Sequence, residues 1–285
     1  DETIVDSKSG MTIQQQLDMI FNEVCRLTQR LADAYQEIIS ALKIYHYEQI
    51  NFSTAEPWLV EKMDRYFQTE LLPLLSPQVI NHRHPFPFFN NKELYIGVRL
   101  KGKEEHVGIV PVSPCFPRKM TFHSADGQQH YFTLIEDMIA HYMPQIFNEA
   151  VEESFVFRVT RNGDMDMVDE VYDEEIDWRL TMEQLLKQRN KQAAVRLQLS
   201  RPVRKETWQY LCDKLHLSER EVVIESVPLD LSFCFDGFEG LNQKRELHNE
   251  PLYALQPAGL ERGCSMIGQI AEKGDLLLCH PYHSM

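Results

Sequence analysis

The sequence lacks several features that would place it quickly. It does not begin with methionine, and neither a charged n-region nor an apolar h-region follows Asp1, so no secretory leader is read there. No apolar run approaches the roughly 18 residues that a membrane-spanning helix needs. The six cysteines (Cys25, Cys115, Cys212, Cys234, Cys264 and Cys279) are scattered, with no C-x-x-C pair and no histidine at zinc-ligand spacing. Cys25, Cys212 and Cys279 fall among apolar residues, where a free thiol packs as a small hydrophobe, and this usage points to a reducing cytoplasm. Basic charge is scarce as well. A formal net charge of −14 argues against a general binder of nucleic acid or anionic membrane, which needs a basic face. Gly-x-Ser-x-Gly elbows and Rossmann glycine fingerprints are both missing.

What is present is a core-forming chain. Its 285 residues suit one large or two medium domains, and 43% hydrophobic content is enough to bury real cores. The first seventy-five residues read as helical. Thr12 with Gln15 is a capping-box pair, and Ile13, Leu17, Ile20, Val24, Leu27, Leu31, Ala34 and Ile38 then recur at spacings of four and three. That pattern predicts a helix of about 30 residues, about 45 Å long, whose apolar stripe must pack on another helix. Ser53 and Glu56 suggest a second capping box ahead of Pro57, opening a helix that carries Trp58, Leu59, Met63, Tyr66, Phe67 and Leu71 until Pro73 and Pro77 stop it. This second helix is the expected partner of the first. At about 20 residues it leaves roughly 10 Å of seam uncovered, which either a segment upstream of this chain or a second copy would cover; alone, the chain is expected to self-associate.

From Asn81 the periodicity changes. His84-Pro85-Phe86-Pro87-Phe88-Phe89 is forced to be extended by its prolines. Leu94, Ile96, Val98 and Leu100 alternate as a half-buried strand, and His106 to Val112 returns as its hairpin partner. A second hairpin is expected at Asp126-Gly127, and a helix opened by Thr133 and Glu136 with a kink at Pro144. Phe155, Phe157 and Val159 form a strand turning at Asn162-Gly163. A helix over 173–190, a strand at Val195 to Leu199, a helix from Trp208 to Leu215 and a strand from Val222 to Val227 follow. Hairpins mixed with helices, with no βαβ beat, indicate an α+β class: a helical N-terminal hairpin or bundle followed by a mixed domain with antiparallel strands. The run Asp275 to Cys279 reads as a strand buried on both faces, running into a loop.

Local motifs fail on their chemistry. Gly97-Val98-Arg99-Leu100-Lys101-Gly102-Lys103-Glu104 fits a phosphate loop except at Glu104, which puts a carboxylate where a hydroxyl must hold magnesium. The acidic run Asp164 to Glu175 resembles a calcium loop, but Val168 occupies a ligand position and Asp169 replaces the turn glycine. The eleven histidines offer one close pair, His82 and His84, without a third ligand.

Three segments together resemble one family. His84-Pro85-Phe86-Pro87-Phe88, Phe157-Arg158-Val159-Thr160-Arg161-Asn162-Gly163-Asp164 and Asp275-Leu276-Leu277-Leu278-Cys279-His280-Pro281-Tyr282-His283-Ser284 are similar, in order and spacing, to the long-form polyphosphate kinases. His283 and Met285 depart from that family's usual Asp and Phe. The resemblance implies residues 1–76 as a helical N-terminal domain truncated at its start, 77–273 as the middle (head) domain, and 274–285 as the entry to catalytic domains outside this chain. It further implies a cytoplasmic enzyme that reversibly transfers the terminal phosphate of ATP to inorganic polyphosphate through a phosphohistidine, with Mg2+. The family's phosphorylated histidine lies in a His-x-Lys signature, which none of the histidines here matches. This portion is therefore expected to be inactive alone, a scaffold and dimerisation region whose partners are its catalytic domains and a second copy. Arg158, Arg161 and His280 are its candidate residues along the polyphosphate path, and no catalytic or metal-ligating residue is expected. The alternative reading is a free-standing interaction module that binds a partner helix.

Overall fold

A computed structural model describes residues 5–80, 86–101, 106–147, 150–163, 192–250, 255, 260–261 and 263–279. The chain forms two compact units, Asp1–Asp236 and Gly237–Met285. In the first, the long helix α1 (Ile13–Leu42) starts where the capping box expects. The Gln15 amide donates to Thr12 Oγ1 at 3.3 Å, and the Thr12 amide donates to Gln15 Oε1 at 2.9 Å. After it come β1 (Tyr47–Gln49), α2 (Pro57–Tyr66), β2 (Gln78–Ile80), β3 (Leu94–Leu100), β4 (His106–Pro111), β5 (Lys119–His123) and β6 (His130–Leu134). Then follow α3 (Ile135–His141), α4 (Met143–Ile146), β7 (Val151–Arg161), β8 (Ala194–Leu199), α5 (Lys205–Leu215) and β9 (Val222–Ile224). The α+β expectation holds.

The strands form a six-stranded sheet in the order β2-β4-β3-β7-β8-β9 and a three-stranded sheet β1-β6-β5. Only the β8–β9 and β1–β6 pairs are parallel. Both hairpins are where the alternation puts them, and Gly127 supplies the positive φ (67°) of the β5–β6 turn. β3 is more deeply buried than a one-sided strand. Leu94, Ile96, Val98 and Leu100 face a core with α2 and α3, while Tyr95 faces a second core with Phe89, Phe155, Phe157 and Leu211 and Cys212 of α5. The helix α5 covers the face that alternation alone would leave to solvent. Gly97 shows how close this packing is: a Cβ there would lie 2.5 Å from the Phe155 ring. The glycine that suggested a phosphate loop is thus a packing requirement, and it sits in a strand that continues toward a hairpin partner.

The helical region departs most from expectation. α2 starts from Glu56, with Pro57 in its first turn; Ser53 lies too far before Pro57 to cap it, and its amide is held by Asn51 Oδ1 at 3.0 Å. The helix relaxes into a wider turn over Phe67–Leu71 and then a tight one over Leu72–Leu74. Its apolar residues Leu59, Met63, Phe67 and Leu71 are fully buried, but against β3, α3 and their neighbours rather than against the stripe of α1. That shared core satisfies α2 completely. α1 instead buries Ala32, Tyr35 and Leu42, a set displaced by one residue, about 100°, from the predicted stripe. Ile13, Ile20, Leu27, Leu31 and Ile38 remain 40–59% exposed.

Smaller differences have local causes. Pro144 breaks the predicted kinked helix into α3 and α4 at Tyr142. Thr133 lies in β6 and gives its hydroxyl to Leu134 O, so it caps nothing. β9 ends at Ile224, earlier than the apolar run. Cys212 is buried as expected, but Cys25 faces solvent because α1 turns that side outward.

In the second unit, Ser265 Oγ caps α6 (Met266–Lys273) by accepting from the Gly268 amide at 3.3 Å. Residues 275–279 form no strand: they pair with no strand among the described residues, and Leu277 is 84% exposed and Cys279 exposed. The expected helix over 173–190, the acidic run from Asp164 to Glu175 and the histidines His82, His84, His280 and His283 lie outside the described residues.

Gly97→Ala is expected to lower stability by about 2–3 kcal/mol, since neither the Phe155 ring nor the strand backbone has room to give. Ala34→Ser on the exposed side of α1 should change it by under about 0.5 kcal/mol. Urea midpoints of the two variants would check this; a neutral Gly97→Ala would remove the close-packing account.

Candidate functional site

Arg158 and Arg161 come from the same strand, yet the fold sends them to different neighbourhoods. The Arg161 side chain points toward Phe89, where its Nε donates to the Phe89 carbonyl at 2.7 Å and its Nη1 to the Gln192 carbonyl at 2.8 Å. Its guanidinium also lies over the Phe88 ring, 4.0 Å from the centroid. Asn91 Oδ1 accepts from the Arg161 amide at 2.9 Å. Phe89 in turn meets Phe157 edge-on at 5.1 Å. Two of the three segments that suggested a family therefore meet here, the first through Phe88 and the Phe89 that follows it, the second through Phe157 and Arg161. Arg161 is buried, and its role there is to fasten them.

Arg158 lies on the side of the sheet away from α5. Its Nε donates to Gln198 Oε1 at 3.0 Å, and Gln198 Nε2 donates to Glu225 Oε1. Burial pulls the Arg158 guanidinium below its ordinary value, opposed by the nearby Glu225 carboxylate. Close by, Arg118 joins three elements: it donates to Asp230 Oδ2 at 2.5 Å and to Glu136 Oε1 at 2.7 Å, tying β5's approach to α3 and to the segment after β9. Burial raises the Glu136 carboxyl to about 7 and that of Asp137 to about 6; Arg118 opposes the first shift and Arg201 the second. Glu136 Oε2 and Arg118 Nε are buried without a hydrogen-bond partner, so the pair is held by one oxygen and one nitrogen rather than as a full fork.

Beside this network a cleft of about 790 Å3 is lined by Lys43, Asn51, Asp137, His141, Ser200 and Arg201 among others. A smaller cavity of about 290 Å3 shares Gln49, Asp137 and Arg201 with it and extends to Tyr35 and Glu136. The Ser154 hydroxyl donates to Ala140 O at 3.2 Å, and the Ser200 hydroxyl accepts from the Val156 amide at 3.0 Å, so both are committed to backbone. No group of three or more His, Cys, Asp or Glu side chains able to hold a metal occurs among the described residues. The arrangement can hold a polar ligand between charges of both signs. Sequence reasoning reached Arg158 but missed Arg118, Glu136, Gln198, Glu225 and Asp230. The one signal available was the carboxylate pair Glu136-Asp137 set between Ile135 and Met138 on an otherwise apolar helix.

The fold and these segments agree with what the chain resembles elsewhere. A family model described as the polyphosphate kinase middle domain matches residues 60–236, ending where the first compact unit ends. The polyphosphate kinase of Staphylococcus epidermidis is 31% identical over 282 residues, covering 98% of this chain and 38% of that protein. Polyphosphate kinases of an Exiguobacterium species (31% over 285 residues, 98% and 39%) and of Burkholderia cenocepacia (29% over 285 residues, 96% and 40%) are similar too. The crystal structure of the polyphosphate kinase of Porphyromonas gingivalis shares the fold, with a TM-score of 0.70 at 19% identity, over 95% of this chain and 40% of that one. The chain belongs to the polyphosphate kinase family. It spans 38–40% of the length of these curated relatives.

Because the folded protein binds the Glu136 proton more tightly than the unfolded chain does, the stability this group contributes is complete below 4.5 and is lost as pH rises through about 7. Glu136→Gln, which fixes the uncharged shape, should remove roughly 1–3 kcal/mol of the stability decline between pH 5 and 8. Urea unfolding at both pH values checks this; parallel slopes for the two proteins would show that Glu136 is not the titrating group.

Proposed function

We propose that the chain is the helical and middle-domain portion of an enzyme that reversibly moves the terminal phosphate of ATP onto inorganic polyphosphate. The observation that carries this reading is the family match over residues 60–236, continued by similarity to curated polyphosphate kinases across 98% of the chain. In this reading the reaction runs through a phosphohistidine with ATP and Mg2+ in catalytic domains beyond these residues, since no histidine of the chain stands two places before a lysine. Neutral imidazole is suited to that step because it attacks phosphorus near pH 7 and gives a labile N–P bond. A net charge of −14 would repel polyphosphate, so its main path belongs to those other domains.

The work of this portion is to hold and to assemble. In this reading residues 1–76, 77–273 and 274–285 are its three parts, and the core that α2 shares with the sheet ties the first to the second. The whole enzyme is placed in the cytoplasm in this reading; no described helix is long and apolar enough to cross a membrane. Among the candidate path residues, the half-buried Arg158 borders the polyphosphate path, Arg161 supports it by fastening the strand, and His280 shapes the entry loop. The exposed stripe of α1 is the dimer seam, because five large aliphatic residues along one helix face exceed what a solvated helix normally shows.

Arg158→Ala in the whole enzyme is expected to weaken long-chain polyphosphate binding severalfold and to flatten its dependence on salt, with ATP binding nearly unchanged. Filter binding across a salt series reads both, and an unaltered salt slope would leave Arg158 a structural residue only. For assembly, Leu27→Glu with Leu31→Glu should turn a dimer of the 285-residue chain at micromolar concentration into a monomer while its sheet unit stays folded. Light scattering showing a monomer before substitution would end the dimer reading.

A further inference from the structure

Around the smaller cavity, three charged side chains keep binding capacity that the fold leaves unused. Glu136 is only 2% exposed and gives its Oε1 to Arg118, while its Oε2 is buried without a hydrogen-bond partner. A buried acceptor left this way carries a desolvation cost that a donor would remove. Asp137, the next residue of α3, lines both the cleft and the cavity. Among the described residues its carboxylate makes no hydrogen bond or ion pair. The Arg201 guanidinium, on the wall that cleft and cavity share, makes none either, although its charge is felt by Asp137 across the gap.

Unused groups of both signs call for a ligand that carries both signs. Two carboxyl groups, with no third ligand converging on them among the described residues, suit the N–H donors of an ammonium better than a metal ion. Arg201, a planar fork of donors, suits a carboxylate. Gln49 adds to that end, since its Oε1 accepts from the Tyr35 hydroxyl at 3.1 Å and its Nε2 hydrogens are left to the cavity. Asp137 and Arg201 share one stretch of wall, so the two charges of the ligand must be close together, as they are across the single α-carbon of an amino acid. The buried side chains of Val156, Val227 and Leu229 line the cavity as well and would receive an apolar side chain. A volume of about 290 Å3 has room for about ten waters, or for one molecule of about ten heavy atoms, the size of leucine. A phosphate ester fits less well, because it would face two carboxylates.

We propose that this cavity binds a free α-amino acid with an apolar side chain, its ammonium held by Glu136 and Asp137 and its carboxylate by Arg201. The bound molecule would tie α3 to the segments that follow β8 and β9. The site uses none of the residues assigned to the polyphosphate path, so its failure would leave the kinase reading untouched.

The test is calorimetric titration of the full chain with leucine and with two of its parts: isocaproate, which lacks the ammonium, and isopentylamine, which lacks the carboxylate. Leucine should bind about tenfold or more tighter than either part. In Arg201→Gln the advantage of leucine over isopentylamine should vanish, and the thermal midpoint of that variant establishes that it still folds. A measurement on the unaltered protein stands apart from the variant: with leucine added, shifts of backbone amide signals should centre on residues 135–141, 200–201 and 226–229. No binding of leucine, valine or methionine up to millimolar concentration would overturn the site. So would leucine binding no tighter than its parts, unchanged leucine affinity in Arg201→Gln, or shifts centred elsewhere; each would leave the Glu136 oxygen to a buried water.

Discussion

β3 is hydrogen-bonded on both edges and covered on both faces, and the placement of nearly every other element in the first unit follows from that. A strand paired with β4 and β7 has no edge left, so its two faces must each be closed by something apolar. One face is closed by α2 and α3, the other by Phe89 and α5. The requirement reaches single atoms, as at Gly97, where the Phe155 ring occupies the space of a side chain. It also explains why α2 is unavailable to α1. Four fully buried residues, Leu59 and Met63 on α2 and Phe67 and Leu71 on the turn that continues it, are committed to the sheet, and the stripe of α1 is left open as a consequence.

Polar groups are arranged around that apolar frame, and they act at the junctions between elements. Arg161, at the end of β7, holds the segment before β3 through the Phe89 carbonyl and the Phe88 ring, and the segment before β8 through the Gln192 carbonyl. Arg118 joins β5, α3 and the segment after β9. Each replaces several weaker contacts, because a planar guanidinium donates in more than one direction at once. Their cost is the burial of charge, visible in the raised carboxyls of Glu136 and Asp137. Charge so placed makes the stability of the unit depend on pH near neutrality, at the wall of the smaller cavity that both carboxylates line.

The resemblance to one family rested on short segments that are weak one at a time. Two of them prove to be in contact, which gives a physical reason for their occurring together: Phe88 and Phe89 supply the ring and the carbonyl that Arg161 needs. Similarity to polyphosphate kinases along 98% of the chain agrees with this. The candidate site was only partly legible. Arg158 was reachable because it sits in such a segment, whereas Arg118, Gln198, Glu225 and Asp230 come from separate elements with ordinary local sequence around each. Contacts such as Arg118 to Asp230, 112 positions apart, leave no local pattern to read.

By itself the sequence determined what depends on neighbours along the chain: the start of α1 at Thr12, the hairpin turn at Gly127, the strands β3, β4 and β7, the breaks at Pro73 and Pro144, and the α+β class. These are set by backbone geometry and side-chain period, which act over a few residues. Tertiary structure alone decided which faces those elements bury. The stripe of α1 and the apolar face of α2 are both real amphipathic patterns, and either could have covered the other. α2 packs into the core beneath the sheet, α1 buries Ala32, Tyr35 and Leu42 one position away from its stripe, and Arg158 and Arg161 are parted by the alternation of the strand that carries both.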